Sequence, residues 1–441
     1  MRGLGGRRIT ATIAALVVIA IPVVTQASAG STDAISLKVG EAKFWDGGYV
    51  ASAVTTDLPA DTACGLAHCF TWKVAIPAHG WRLRVALDTP SREDTFTLEV
   101  KNPSGVVVDT RSDTTVFNEE VFAHSPVAGT WTVRVIPRDD ALAAFRMRAK
   151  LESAPVVSRA KRILLPNLQA TPPYEFGFVA PANPANGVYP PDTVNPPLDV
   201  LGYHPVSCTP DETVSTTDLQ SHPTRCLRFT TGPRNSGVGN FEVHYDVHNP
   251  ANGFWITSSG PAYQWIYYSD GSHIVKQAGL FQFHLQHGHY HYNDILNYQL
   301  YKVTSSQRGT LAMAGKGVKS GFCPADELFA DWHSFDQQEG AYVNANCGYT
   351  PTSDGVIGQT PGWGDVYRYQ RPGQFVDFGA NTDGLYVVRT VVDIRNFIRE
   401  SSETDNAAYA YIRVVGDRVS ILERGQGLSP WDPTKKVFTD Q

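Results

Sequence analysis

From about residue 36 onward the chain is built of short stretches in which apolar and polar residues alternate. Thr71–Ile76, Trp81–Leu87 and Phe96–Val100 each alternate with a period of two. That period places successive side chains on opposite faces, so each stretch reads as a strand. Turn residues separate them: Asn102-Pro103-Ser104-Gly105 precedes Val106-Val107-Val108, and Pro126-Val127-Ala128-Gly129 precedes Thr130–Val135. Turns at this spacing predict a β-sandwich over residues 36–153. A second set of strand-like runs follows: Cys226–Thr230, Phe241–Val247, Tyr386–Val392 and Ala408–Val414. Long Gly/Pro/Asn/Ser segments, such as 181–200 and 336–364, lie between them. Loops of that length are unusual in a compact domain unless they are functional or clamped by bridges. Helical periodicity is scarce. The expectation is an all-β protein, with a jelly-roll-like N-terminal sandwich, a linker over 154–165, a β-sandwich with long loops over 166–415 and a tail over 416–441. The linker carries the basic run Arg159-Ala160-Lys161-Arg162. It reads as a solvated hinge or as a processing site that would free the second domain.

The N-terminus changes the picture of where the protein works. Arg2, Arg7 and Arg8 precede an apolar run from Ile13 to Val24, and Ala27-Ser28-Ala29 supplies small residues for cleavage before Gly30. Residues 1–29 therefore read as a secretory signal peptide, with an apolar core too short for an ordinary membrane span. No other long apolar run occurs, so a secreted protein without stable membrane insertion is expected. Charged residues are sparse and the net charge is −6, which argues against nucleic acid as a partner. Six cysteines form neighbour pairs Cys64/Cys69, Cys208/Cys226 and Cys323/Cys347. In an oxidising compartment sequential pairing is the simplest connectivity. No pair has the spacing of a zinc site.

The strongest chemical signal is His284-Leu285-Gln286-His287-Gly288-His289-Tyr290-His291, which packs four of the thirteen histidines into one stretch. On an extended strand His287, His289 and His291 share a face. The outer two Cα atoms would lie ~13 Å apart at strand rise. Two imidazole arms, each adding a metal–nitrogen bond of ~2 Å, just span that gap. Three alternating histidines can thus converge on one ion, especially if Gly288 lets the strand bend. Imidazole suits copper, zinc, iron and nickel, and copper stands highest in the affinity order. His284 reads as a fourth ligand, a supporting partner or a core histidine.

Residues 281–303, FQFHLQHGHYHYNDILNYQLYKV, resemble the copper-binding segment of lysyl oxidases. His284 falls on that family's first histidine, and His287, His289 and His291 fall on its three ligands. Phe281 and Phe283 stand where the family has tryptophans. Gln286 stands where animal enzymes have a cysteine, so that bridge is absent. Four further islands follow the family order. GVKSGFC (317–323) places Lys319 on the cofactor lysine, and IGQTPGWGDVY (357–367) places Tyr367 on the cofactor tyrosine. RESSETDNAA (399–408) is similar to a late acidic segment, and LLPNLQ (164–169) to the opening of the domain. In the N-terminal half, LEVKNPSGVVV and SPVAGTWTVRV resemble pre-peptidase C-terminal domains and the P domain of proprotein convertases, which implies an accessory module without chemistry.

The resemblance implies a copper-dependent amine oxidase that uses lysine tyrosylquinone, built from Lys319 and Tyr367. A primary amine, on a lysine side chain or a small molecule, would be converted with O2 to an aldehyde, releasing ammonia and hydrogen peroxide. No standard side chain accepts the two electrons, so a cofactor must. Asp294 and Asp365 read as general-base candidates or as structural carboxylates. The resemblance also implies a calcium ion held by Glu400, Asp405 and Asn406 with main chain near Asn167 and Leu168, although Ser402 replaces a family carboxylate. Rival readings are a non-catalytic extracellular copper or zinc binder, and a different metal oxygenase or hydrolase. The latter would need a ligating carboxylate near the histidines.

Overall fold

A computed structural model of the chain describes residues 34–51, 61–62, 64, 69–77, 80–89, 96–112, 118–138, 142–154, 160–179, 225–245, 259–284, 289–317, 321–331, 338, 340–342, 347, 355–369 and 373–438. Apart from helical residues at 61, 62 and 64, its elements are strands, as the alternation predicts. The expected signal peptide and residues 180–224 lie outside the described residues.

The N-terminal half is two sheets that share one core. One sheet has the order Ile35–Ser36, Phe70–Ile76, Gly129–Pro137, Phe96–Lys101, Val107–Arg111. The other runs Ala42–Ala51, Leu142–Glu152, Arg82–Asp88, Asn118–His124. Trp72, Val74, Trp131 and Val133 from the first meet Leu83, Val85, Phe145 and Met147 from the second. Alternation explains this: in Phe70–Ile76, Trp72 and Val74 are buried while Lys73 between them is exposed. Arg82–Asp88 departs from it, since Arg82, Arg84 and Ala86 on its other face are buried too. That face is covered by the second half of the chain, with Ala86 packed against Phe329 and Trp363.

The second half is organised around a six-stranded and a five-stranded antiparallel sheet. The six-stranded sheet has the order Thr310–Lys316, Leu296–Ser305, Gly384–Val392, Ala407–Val415, Arg418–Gln426, Lys436–Val437. The five-stranded sheet runs His289–Tyr292, His273–His284, Ser259–Tyr267, Phe241–Tyr245, Gly355–Gln359. One core joins them, containing Tyr245, Phe281, Tyr290, Tyr292, Leu300, Val388 and Ile412. Two smaller sheets carry the connecting loops, among them Leu328–Phe329 paired with Trp363–Gly364.

Within the expected tail over 416–441, Arg418–Gln426 is a strand paired along its length with Ala407–Val415. Its exposed pattern hid it: a strand with one face in water and little apolar alternation gives a weak signal. The described residues of the basic run, Ala160, Lys161 and Arg162, are exposed and make contacts with a neighbouring turn. Arg162 exchanges bonds with Ser269, its N–H donating to Ser269 Oγ at 2.9 Å and its carbonyl accepting from Ser269 N at 2.8 Å. Lys161 pairs with Asp270 at 3.1 Å. Residues 160–164 thus line the Tyr267–Ser272 turn, and Leu164 N donates to Tyr267 O at 2.8 Å.

Candidate metal and cofactor centre

The histidine segment forms a hairpin. His273–His284 pairs antiparallel with His289–Tyr292, with Gln282 opposite His291 and His284 opposite His289. Residues directly opposite in a ladder share a face, as do alternate residues on one strand. Positions 282, 284, 289 and 291 therefore lie on one face, and Tyr290 and Tyr292 on the other, buried in the core. His287 falls outside the described residues, so the single-strand array of three histidines is described only for His289 and His291. The hairpin gives position 284 a place that spacing along one strand did not reveal, across from position 289.

His291 is buried. Burial holds the Tyr290 phenol above its usual pKa, and burial with the charges of Asp393, Asp294 and Glu400 holds Tyr292 well above it. Both phenols stay neutral, so imidazoles remain the donors suited to a transition metal on this strand.

Three separate islands of the sequence meet here. Tyr292 and Phe322 exchange backbone bonds of 2.9 and 3.1 Å. Gly321 lies so close to His291 that a Cβ there would sit 2.9 Å from the His291 Cβ and 3.1 Å from its Nδ1. Gly317 is wedged in the same way against Tyr298, at 2.7 Å from its Cβ, and bridges Val376. Lys319 lies outside the described residues, but its neighbours two positions to either side are fixed at these points. Next, Cys323 N donates to Tyr367 Oη at 3.1 Å, and the Phe322 and Tyr367 rings meet edge to face at 4.5 Å. Tyr367 is buried, and it exchanges backbone bonds with Thr231. Cys323 is bridged to Cys347, whose carbonyl accepts from Tyr290 N at 2.8 Å. This bridge, one of the expected sequential pairs, ties the lysine island to the histidine strand. Cys64 and Cys69 are also bridged, and Cys226 is disulfide-bonded, while its expected partner Cys208 lies outside the described residues.

The two general-base candidates separate. Asp294 sits in the turn after the histidine strand with a φ of 61° and is half-exposed toward Arg395 at 3.5 Å. Asp365 is buried two residues before Tyr367. Its segment is held by Gly232, where any Cβ would lie 2.0 Å from the Asp365 carbonyl oxygen. Sequence reasoning missed Gln374. It is buried, accepts from Tyr298 Oη at 2.9 Å, and its Nε2 has no acceptor among the described residues.

The late acidic segment folds back on the start of the domain. Glu400 accepts from Leu168 N and from Asn406 Nδ2, while Asp405 accepts from Asn167 and Gln169. Asp393 and Glu403, which the sequence reading did not single out, bring carboxylate oxygens within 4.8 Å of Glu400. Burial, with Asp393 and Glu403 nearby, pushes the Glu400 carboxyl up to about 8. Buried oxygens Asp405 Oδ1 and Asn406 Oδ1 have no donor among the described residues. Oxygen donors without protons to accept are what a hard cation takes, so the residues fit one.

Fold and geometry define a β-sandwich protein whose histidine hairpin adjoins a buried tyrosine and a cysteine-bridged segment. Residues 272–423 match the lysyl oxidase family model. Lysyl oxidase homolog 3B of Danio rerio is 29% identical over 136 residues, which is 31% of this chain and 15% of that relative. The match to the lysyl oxidase family model lies in the C-terminal half of the chain, which is therefore similar to that family over these residues. The matched residues include the hairpin, Lys319, Tyr367 and Glu400. Among the described residues no helix is long and apolar enough to cross a membrane.

Proposed function

We propose that this protein is a secreted copper-dependent amine oxidase that converts primary amines, on lysine side chains or small molecules, to aldehydes. The observation that carries the reading is the meeting of His291, Gly321 and Tyr367 Oη around one short segment. His287, His289 and His291 would hold copper, with His284 beside them as a supporting partner. Lys319 and Tyr367 would form lysine tyrosylquinone. Bound together, copper and quinone supply the electron sink that the side chains lack.

The chain's own groups have definable tasks. The Cys323 N–H is a fixed donor to Tyr367 Oη, suited to negative charge on that oxygen. Phe322 packs edge to face against the buried Tyr367 ring at 4.5 Å, and Tyr298 packs edge to face behind Phe322 at 6.1 Å. The two glycines, Gly317 and Gly321, are fixed by close contacts with Tyr298 and His291, on either side of the residues that include Lys319. The buried Asp365 is the carboxylate that would take the substrate's α-proton. O2 and the amine are the partners, and the products are the aldehyde, ammonia and hydrogen peroxide. A calcium ion on Glu400, Asp405 and Asn406 would brace the domain, with Asp393 and Glu403 adding charge.

Mass spectrometry tests this. The mature protein, expressed with copper under air and digested, should yield one peptide joining Lys319 to Tyr367. Recovery of both residues unmodified would sink the oxidase reading and leave a non-catalytic copper or zinc binder.

A further inference from the structure

One face of the N-terminal sandwich is charged yet buried. Arg84 and Arg148 are fully buried, and Glu119 and Glu120 nearly so. Arg84 grips Glu120 with two parallel bonds, Nε to Oε1 at 2.7 Å and Nη2 to Oε2 at 2.9 Å, and reaches Glu152 at 3.5 Å. Burial pulls the Arg148 guanidinium down to about 9, with Glu120 and Asp88 acting against it. Charges taken out of water need good geometry to be tolerated. A sheet face in a free accessory module would leave them in solvent.

The second half of the chain supplies the cover. The Arg148 guanidinium lies 4.2 Å over the Phe329 ring. Asn118 Oδ1 accepts from Phe329 N at 2.5 Å, and Arg84 Nη2 donates to Gln338 O at 3.4 Å. Gln338 O also accepts from Trp363 Nε1 at 2.8 Å, and the Phe329 and Trp363 rings stand 4.8 Å apart. All of these contacts converge on the strand pair Leu328–Phe329 and Trp363–Gly364. That pair runs directly into Tyr367. Glu327 closes the connection, its N–H donating to Gly364 O at 3.0 Å and its carboxylate accepting from Val366 N at 3.3 Å.

We propose that the N-terminal sandwich is a permanent half of the amine-oxidising centre: its Arg84–Arg148–Asn118 face holds the Phe329–Trp363 pair and thereby positions Tyr367. Arg148 and Asn118 are positioning residues that never touch substrate. A cut between the two halves leaves them associated, because separation would strip cover from Phe329, Trp363 and Ala86. The positioning claim rests on Tyr367 being the cofactor tyrosine. The docking claim does not.

The experiment uses the full chain with a specific protease site inserted between Pro155 and Val156. After cleavage the two fragments should elute as one particle in native buffer and separate only in denaturant. Fragments that separate in native buffer overturn the docking. In the uncut chain, Arg148→Ala and Asn118→Ala should slow formation of the Lys319–Tyr367 crosslink after copper addition by roughly tenfold or more, since small misplacements cost that much. Bound copper per chain should be unchanged, and Arg148→Lys, which keeps a cation over Phe329, should recover part of the rate. Wild-type rates in both variants overturn the positioning role. If Arg148→Ala does not fold, Asn118→Ala alone decides, since it removes only the acceptor for Phe329 N and the donor to Asp88 Oδ1. A wild-type chain that never forms the crosslink rejects the oxidase reading, and the co-elution result still decides the docking.

Discussion

Tyr367 and Asp365 lie two residues apart, both buried, in a segment packed closely against Gly232. A carboxylate in that setting is suited to proton transfer. Asp365→Asn keeps the shape and removes the carboxylate proposed as the base. It should lower kcat by about 100-fold to 10,000-fold, with bound copper and the Lys319–Tyr367 crosslink retained. Steady-state kinetics with a primary amine checks this, and loss of the crosslink instead would assign Asp365 to cofactor formation. Asp326 shows the opposite use of burial. It is fully buried and accepts from Thr360 N, Thr360 Oγ1 and Tyr342 N, yet burial pushes its carboxyl up to about 6. The folded chain therefore holds this proton more tightly than the unfolded chain, whose value is near 3.8. The stabilising contribution is full below the unfolded value and is lost as pH rises through about 6. Between pH 5 and 7 it should fall by about 1 kcal/mol. Urea denaturation at the two pH values, in wild type and Asp326→Asn, should show this part of the slope only in wild type.

Elements decide what histidine spacing left open. The strand-like runs Cys226–Thr230, Tyr386–Val392 and Ala408–Val414 are legible in the sequence, and they fall in the strands Cys226–Thr230, which is buried throughout, Gly384–Val392 and Ala407–Val415. Alternation read the histidine run as one strand. The hairpin instead sets His284 opposite His289, a pairing fixed by register with a second strand rather than by any local property. Gly321 was quoted only as part of a motif, and its neighbour in space explains it. Gly321→Ala would place a Cβ 2.9 Å from the His291 Cβ. The strand or the ring must move, so copper affinity should drop by about 10- to 100-fold while the fold survives. Competition against a chelator of known affinity measures it. Unchanged affinity would mean that His291 is not a ligand.

At the scale of the whole molecule, the opening strand Leu168–Ala170 and the late acidic segment are joined through Glu400 and Asp405 although they are separated by most of the domain. Calcium there would act as a clasp between distant parts of the chain. Calcium at 100 times its dissociation constant should stabilise the protein by about 2.7 kcal/mol, and chelation should remove the gain. Thermal melts with and without calcium read it, and Glu400→Gln should abolish the difference. A wild-type melting temperature indifferent to calcium would remove the ion from this account. The sequence by itself determined the all-β class and the run of imidazoles, because strand period and donor chemistry are local properties. It also carried Lys319 and Tyr367, though only through resemblance to a family, since no spacing rule joins residues so far apart. Tertiary structure alone decided the register that opposes His284 and His289, the closeness of Gly321 to His291, the Cys323 N–H on Tyr367, and the burial of a charged sheet face under Phe329 and Trp363. Each of those depends on contacts between remote segments, and their energies exist only once the chain has closed on itself.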